Sequence, residues 1–380
     1  MNFSKGQFGY DLKFLEEHIH PIVLSGKNKN QQLIIAPQFQ GRIMTSTANG
    51  PEGKSFGWIN HELIESKKIH KNINPFGGED RFWMGPEAGQ FGLFFKHGEA
   101  FTFENSQVPS AIDTEEFDLM NQDATSAVFR KDCSLINYAN TKFDIRIERK
   151  INLLNEEKIA GSLGINLDSK NDLSVIGFES ENSITNLGRN WNKNSGLLSI
   201  WIIGMFNATD KATVIIPVKK AKEGINTNYF GALNKNRLQV KSNTVFFRGD
   251  GNYRSKIGIA PQSVNSIFGS YDFENDVLTI IQFSFQEDES YVNSLWEIQE
   301  EPFKGDVINS YNDGPLNGKQ LGGFYEMETS SPAKELKSGE SISHLHRTFH
   351  FCANKKSLSE IAMHLLNADI SSDPLNSEYP

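Results

Sequence analysis

Apolar and polar residues alternate with a period of two along much of this chain. The segment FDIRIERKI is the clearest case: Phe143, Ile145 and Ile147 alternate with Asp144, Arg146 and Glu148. Side chains along a strand point to opposite faces in turn, so this pattern predicts a half-buried β-strand. Runs rich in β-branched and aromatic residues predict further strands at 33–36, 91–95, 125–130, 143–153, 173–178, 197–206, 213–218, 244–248, 266–271 and 277–285. Asn, Gly, Asp and Pro clusters separate them at hairpin-like intervals. Helical spacing appears twice, over 12–18 and over 358–367. In the second, Leu358, Ile361, Ala362 and Leu365 share a face, and Ser357 with Glu360 reads as a capping box. There is no strand–helix–strand alternation, repeat or linker. The pattern therefore predicts one all-β, mostly antiparallel sandwich or barrel spanning residues 1–380, with few peripheral helices.

The same alternation gives the C-terminal part its chemical interest. Over 324–351, FYEMETSSPAKELKSGESISHLHRTFHF, two strands are joined by a turn. Glu326 and Glu328 alternate with Tyr325 and Met327. His344, His346 and His350 alternate with Leu345, Phe349 and Phe351. Parity thus predicts that two carboxylates and three imidazoles share one sheet face. His344-x-His346 is also a familiar metal-ligand spacing, with Glu326 or Glu328 to complete the set. Solvent-facing histidines satisfied by Arg347, Glu340 and backbone groups are the competing explanation.

Composition changes the picture in three ways. An apolar content of 38% and an aromatic content of 11%, with 28 Phe, suffice for a large core, and 22% charged residues is a globular value. A formal charge of −9 without a Lys/Arg run argues against a nucleic-acid partner. No apolar stretch is long enough to span a membrane as a helix. The start, MNFSKGQFGYDLKFLEEH, lacks the apolar core of a secretory signal, which makes the cytoplasm the default compartment. A periplasmic or exported chain whose leader had been removed would read the same. Cys133 and Cys352 stand alone, in no zinc-like spacing, and are read as buried structural thiols.

A second segment, residues 74–95, joins Gly77 and Gly78 to Glu79, Asp80, Arg81, Trp83, Pro86 and Glu87 in a loop running into a strand. Arg81 offers a planar fork of donors and Trp83 an apolar platform, a combination suited to a polyhydroxylated ring. Alternatively Arg81 pairs with Glu79, Asp80 or Glu87 to stiffen the loop, with Trp83 in the core.

Taken in order, GG-x-x-R-x-W-x-x-PE, then GLLSIWIIGMF, then YEMETSSP…LKSGESISHLHRTFHF resembles the galactose mutarotase-like supersandwich group, and within it an uncharacterised bacterial branch. The C-terminal match rests on Glu328, Thr329 and Ser330, then Pro332, then Leu336, Lys337, Ser338, Gly339 and Glu340. The resemblance implies an all-β galactose mutarotase-like β-supersandwich, a small-molecule carbohydrate ligand and a late glutamate base, which falls on Glu328. It also implies a central histidine acid, and this chain has no histidine between His97 and His344. His344 and His346 are then the candidates for that role, with Glu326 beside the base.

The site expected is therefore Glu328, Glu326, His344 and His346 for chemistry, with Arg81, Trp83, Asn309, Tyr311 and Asp313 for substrate. No cofactor is implied; the alternative is a divalent metal on His344, His346 and Glu328. Asn309, Tyr311 and Asp313 lie in NSYNDGP, which reads first as a turn. Trp191, Trp201 and Trp296 read as packing residues. Arg254 and Lys256, in YRSKIG, read as an exposed strand face. Three functions fit: epimerase-like or mutarotase-like acid–base chemistry on a sugar, a carbohydrate-binding protein without chemistry, and a metal-dependent or lyase-type carbohydrate enzyme. Neither the sugar nor the oligomeric state is encoded in these patterns.

Overall fold

Among the described residues of the computed structural model every pairing between strands is antiparallel, and the strands form sheets of three, six and ten. The structure describes residues 3–27, 29–167, 172–220, 223–230, 232–316, 318 and 320–376. The six-stranded sheet runs, in spatial order, Ile225–Asn226, Ser255–Ile259, Ile308–Asn312, Phe324–Ser330, Ser199–Asn207 and Arg81–Gly85. The ten-stranded sheet has Ser341–Cys352 near its middle, between Val277–Phe283 and Ser174–Asn186.

One face of the six-stranded sheet packs on the ten-stranded sheet, and the contacts identify which. Tyr325 Oη meets Ser270 Oγ at 2.8 Å, and Thr329 Oγ1 lies 2.8 Å from both His344 Nε2 and His346 Nδ1. Tyr325, Met327 and Thr329 therefore face the interior, while Glu326 and Glu328 face away. The interior is apolar over most of its extent; Phe82, Ile202, Phe129, Ile147, Phe178 and Ile184 in it are fully buried.

Most of the predicted strands form, often longer than the pattern suggested. Residues 91–95 do not: Phe94 and Phe95 are buried in a turn-rich segment, and backbone bonds from Leu93 and Phe94 close locally on Pro86 and Glu87. Core burial of aromatics outside a sheet gives the same composition as a strand. Ile308–Asn312 is a strand where turn chemistry was expected, since both of its neighbours supply ladder partners. The C-terminal helix is Lys355–Leu366, and its cap is Asn354, whose side chain accepts from Ser357 N; Ser357 lies inside the helix, so the capping box is not formed. The N-terminal helix, Phe8–His18, begins earlier than its apolar spacing suggested. Among the described residues, no helix is long and apolar enough to cross a membrane.

Candidate functional site

Strand register assembles the site. Reading across the six-stranded sheet, Arg81 lies opposite Ile203, Ile203 opposite Glu328, and Glu328 opposite Asn309. The adjacent row runs from Met205 through Glu326 and Tyr311 to Lys256, and Trp83 lies opposite Trp201. Directly opposed residues project to the same side. Arg81, Trp83, Trp201, Lys256, Asn309, Tyr311, Glu326 and Glu328 therefore share the face turned away from the ten-stranded sheet.

Backbone that only glycine accommodates leads into this face. Gly77 and Gly78 have φ of 97° and 111°. A Cβ on Gly77 would come within 2.1 Å of Trp58 O. Side chains rarely adopt such angles, so this pair fixes how Glu79, Asp80 and Arg81 enter the sheet. Each of the three then takes a different partner. Glu79 accepts from Ser46 Oγ and sits 2.7 Å from His350 Nε2. Asp80 points inward to Arg149 (2.6 Å) and Ser180 (2.7 Å). Arg81 points the other way, donating to Asp113 Oδ1 at 2.8 Å, with its guanidinium 3.8 Å from the centre of the Trp83 ring. Arg81 is thus ion-paired and Trp83 is buried in the core, as the alternative reading had it, but the partner is Asp113, 32 residues away at the end of the short helix Ser110–Asp113, rather than Glu79, Asp80 or Glu87.

Glu328 is fully buried. One carboxylate oxygen accepts from Lys256 Nζ at 3.1 Å, and the Trp201 side chain lies beside the carboxylate and also favours its charged form. Glu326 is partly exposed, as are Lys256 and Glu87. Burial pushes the Glu326 carboxyl well above the usual range, and the neighbouring Glu328 pushes it further, against Lys256 and Arg81. Burial also raises Glu328, while Lys256 pulls it back. Burial works against the charge of Lys256, but Glu328, Glu87 and Glu326 outweigh it and its pKa is raised. Two like charges this close disfavour double ionisation, so such a pair tends to keep one proton. The arrangement supplies a proton donor and a proton acceptor side by side.

Polar and aromatic groups surround the pair. Tyr311 Oη donates to Asp313 Oδ1 at 2.7 Å, and Asp313 Oδ2 accepts from the backbone of Leu321 and Gly322, so Asp313 is committed to structure. Asn309 Nδ2 donates to Tyr229 Oη, which donates to Asp306 at 2.5 Å. Lys256 Nζ lies 4.8 Å from the centre of a Trp201 ring. Glu87 accepts from both Trp83 Nε1 (3.2 Å) and Trp296 Nε1 (3.3 Å), and Trp296 is 39% exposed. Trp201 is buried as expected, but its ring belongs to this face.

His344 and His346 lie elsewhere. Both project into the space between the sheets, where Thr329 bonds them, and Thr329 is on the opposite side of its strand from Glu328. The shared face of carboxylates and imidazoles is thus not formed, nor is a metal site of His344, His346 and Glu328. Parity tells which residues of one strand share a face, not which sheet the strand joins: the glutamate and histidine strands belong to different sheets packed face to face. Among the described residues, no three His, Cys, Asp or Glu side chains are grouped to hold a metal ion. Burial pushes His344 down to about 3 and His346 down to about 4.

This placement has a measurable consequence. Both imidazoles are neutral in the fold, whereas in an unfolded chain they take up protons below about pH 6.5. The unfolded state then binds more protons, so stability is fully present above about pH 6.5 and declines as pH falls toward 3–4. Denaturant unfolding between about pH 7 and pH 4 should show this decline, with a shallower slope for His346→Asn; an unchanged slope would mean that His346 is not held neutral.

Lys256, Asp113, Tyr229, Asp306 and Trp201 were missed as site residues. Lys256 had a detectable signal, since YRSKIG alternates as a strand, but its neighbour in the sheet is set by tertiary pairing.

The fold is shared with solved structures of low sequence identity. The Slr1438 protein of Synechocystis sp. aligns with a TM-score of 0.52 at 13% identity, covering 93% of this chain and all of the other. A galactose mutarotase-like protein from Lactobacillus casei aligns with a TM-score of 0.52 at 10% identity, covering 87% of this chain and all of the other. No protein of curated function matches. The fold is that of the galactose mutarotase-like group, and the chain belongs to DUF6786, a family of unknown function that matches it over residues 6–373.

Proposed function

We propose that this face binds a sugar and catalyses epimerase-like or mutarotase-like proton transfer, with Glu328 as base and Glu326 as acid. The observation that carries the reading is the pair itself: two carboxyls two residues apart on one face, both raised by burial, with only one of them ion-paired to a lysine. Environments that separate the behaviour of neighbouring titratable groups assign the acid and the base. Glu328, charge-balanced by Lys256, takes the proton of the anomeric hydroxyl. Glu326, held neutral, gives its proton to the ring oxygen as the bond from that oxygen to the anomeric carbon breaks. Rotation of the open aldehyde and the reverse transfers close the other anomer and restore both carboxyls. Glu326 thus takes the role for which His344 and His346 were the sequence candidates. Alternate residues on a strand are roughly 7 Å apart along the chain, a span that lets two carboxyls flank the adjoining oxygens at an anomeric centre. Trp296, which is half-exposed, supplies apolar surface for the ring, and Arg81 supplies donors.

A carbohydrate-binding protein without chemistry is the second reading, favoured by one feature. Glu328 already pairs with Lys256 and Arg81 with Asp113, so the site is internally neutralised. Exchange spectroscopy of anomers across aldoses, uronates and amino sugars, beside calorimetry on the same panel, separates the two. Catalysed exchange of at least one sugar is expected. Binding without exchange would establish the second reading; neither would leave both without support.

A further inference from the structure

One cation near the site has no counterpart. Arg254 forms no ion pair and no hydrogen bond through its side chain among the described residues, and its Nε–H is buried without an acceptor. Arg81, Arg149, Arg237 and Arg248 each have a carboxylate and Arg42 donates to Gly77 O and Gln40, although Arg42, Arg81, Arg149 and Arg237 also keep an Nε–H without an acceptor. Arg254 differs from them in that no part of its guanidinium has a hydrogen-bonding partner among the described residues, and a cation of limited exposure left so calls for an explanation. In a chain of net charge −9 an unpaired arginine is the more conspicuous, since carboxylates are in excess.

Its position supplies the explanation. Arg254 precedes the strand Ser255–Ile259 and has the parity of Lys256, so it projects to the Glu326 side of the sheet. Its guanidinium lies 4.4 Å from the centre of the Phe230 ring and 6.0 Å from that of Tyr311, the residue directly opposite Glu326. Phe230 is 42% exposed. A guanidinium lying over an aromatic ring leaves its two terminal nitrogens free, and these match a carboxylate or sulfate in a planar, two-bond geometry. We infer that the sugar taken by this site carries an anionic carboxylate or sulfate, which Arg254 binds while the anomeric centre lies at Glu326 and Glu328.

This inference rests on the sugar reading above and is tested separately from it. Calorimetry on the full chain would compare D-glucuronate, D-galacturonate and D-glucose 6-sulfate with D-glucose and D-galactose. A charge-assisted hydrogen bond is worth roughly 1.5–3 kcal/mol, or about 10- to 100-fold in affinity. At least one acidic sugar should bind tighter than its neutral parent by that factor, and the uronate and sulfate arms identify which anion is preferred. Arg254→Gln should reduce the ratio of acidic to neutral affinity to about one, and Arg254→Lys should restore part of it. Neutral sugars binding as tightly as acidic ones, or an undiminished ratio in Arg254→Gln, would overturn the inference while leaving the sugar site in place. If no sugar binds, both readings fall together.

Discussion

Glu328→Gln is expected to slow anomer exchange by ~100- to 10,000-fold, the usual contribution of a positioned base, while sugar binding persists. The amide keeps the shape and one acceptor oxygen but cannot accept the proton. It also leaves Lys256, which is mostly buried, without its carboxylate, so the melting temperature of the variant is to be measured alongside. Glu326→Gln should lose activity comparably for the complementary reason, since an amide has no acidic proton of useful strength. Its stability should move the other way. A carboxyl whose pKa is raised by folding adds stability below its ordinary unfolded value and loses it as pH rises through the folded value. Glu326→Gln should therefore melt above the native protein in alkaline buffer and close to it in acid. Arg81→Ala should weaken binding as well as rate, because it removes donors that hold the ground state. Full activity in Glu328→Gln would remove the base from the proposal.

The second large effect concerns stability. Asp80→Ala should cost ~3–5 kcal/mol, the range for breaking a buried ion pair by deleting one partner. Asp80 and Arg149 are both fully buried, 2.6 Å apart, and Ser180 Oγ donates to the other carboxylate oxygen. Among the described residues Arg149 has two further nitrogens without partners, so deletion of Asp80 leaves its buried charge uncompensated. The pair ties the strand Arg81–Gly85, which follows Asp80 directly, to two strands of the ten-stranded sheet. We propose that residues 1–380 unfold as one unit, so the loss should appear in urea melts as a shift of a single transition. Asp80→Asn keeps the shape without the charge and should fall between. A change of under about 1 kcal/mol in Asp80→Ala would mean that the pair contributes little beyond its own desolvation.

These effects bear on what a sequence pattern can convey. The parity of Glu326 with Glu328, and of His344 with His346, was legible because strand geometry is local. Their juxtaposition was not, because alternation carries no information about which sheet a strand enters. Thr329 bonds both histidines, while Glu326 and Glu328 face away from them. Lys256 illustrates the same limit from the other side. Its strand was visible in YRSKIG, yet nothing local distinguishes a solvated lysine from one 3.1 Å from a buried glutamate two strands away. Gly77 and Gly78 were legible for a physical reason, since positive φ and a close backbone approach both demand glycine. Residues 91–95 misled because a packed aromatic loop and a strand share one composition.

The most direct test of the central claim is the location of a bound sugar in a crystal of the Glu328→Gln variant, which should hold substrate without turning it over. The anomeric carbon and ring oxygen are expected between residues 326 and 328, with the ring against Trp296. A sugar bound away from this face, with no group within hydrogen-bond reach of either residue, would contradict it.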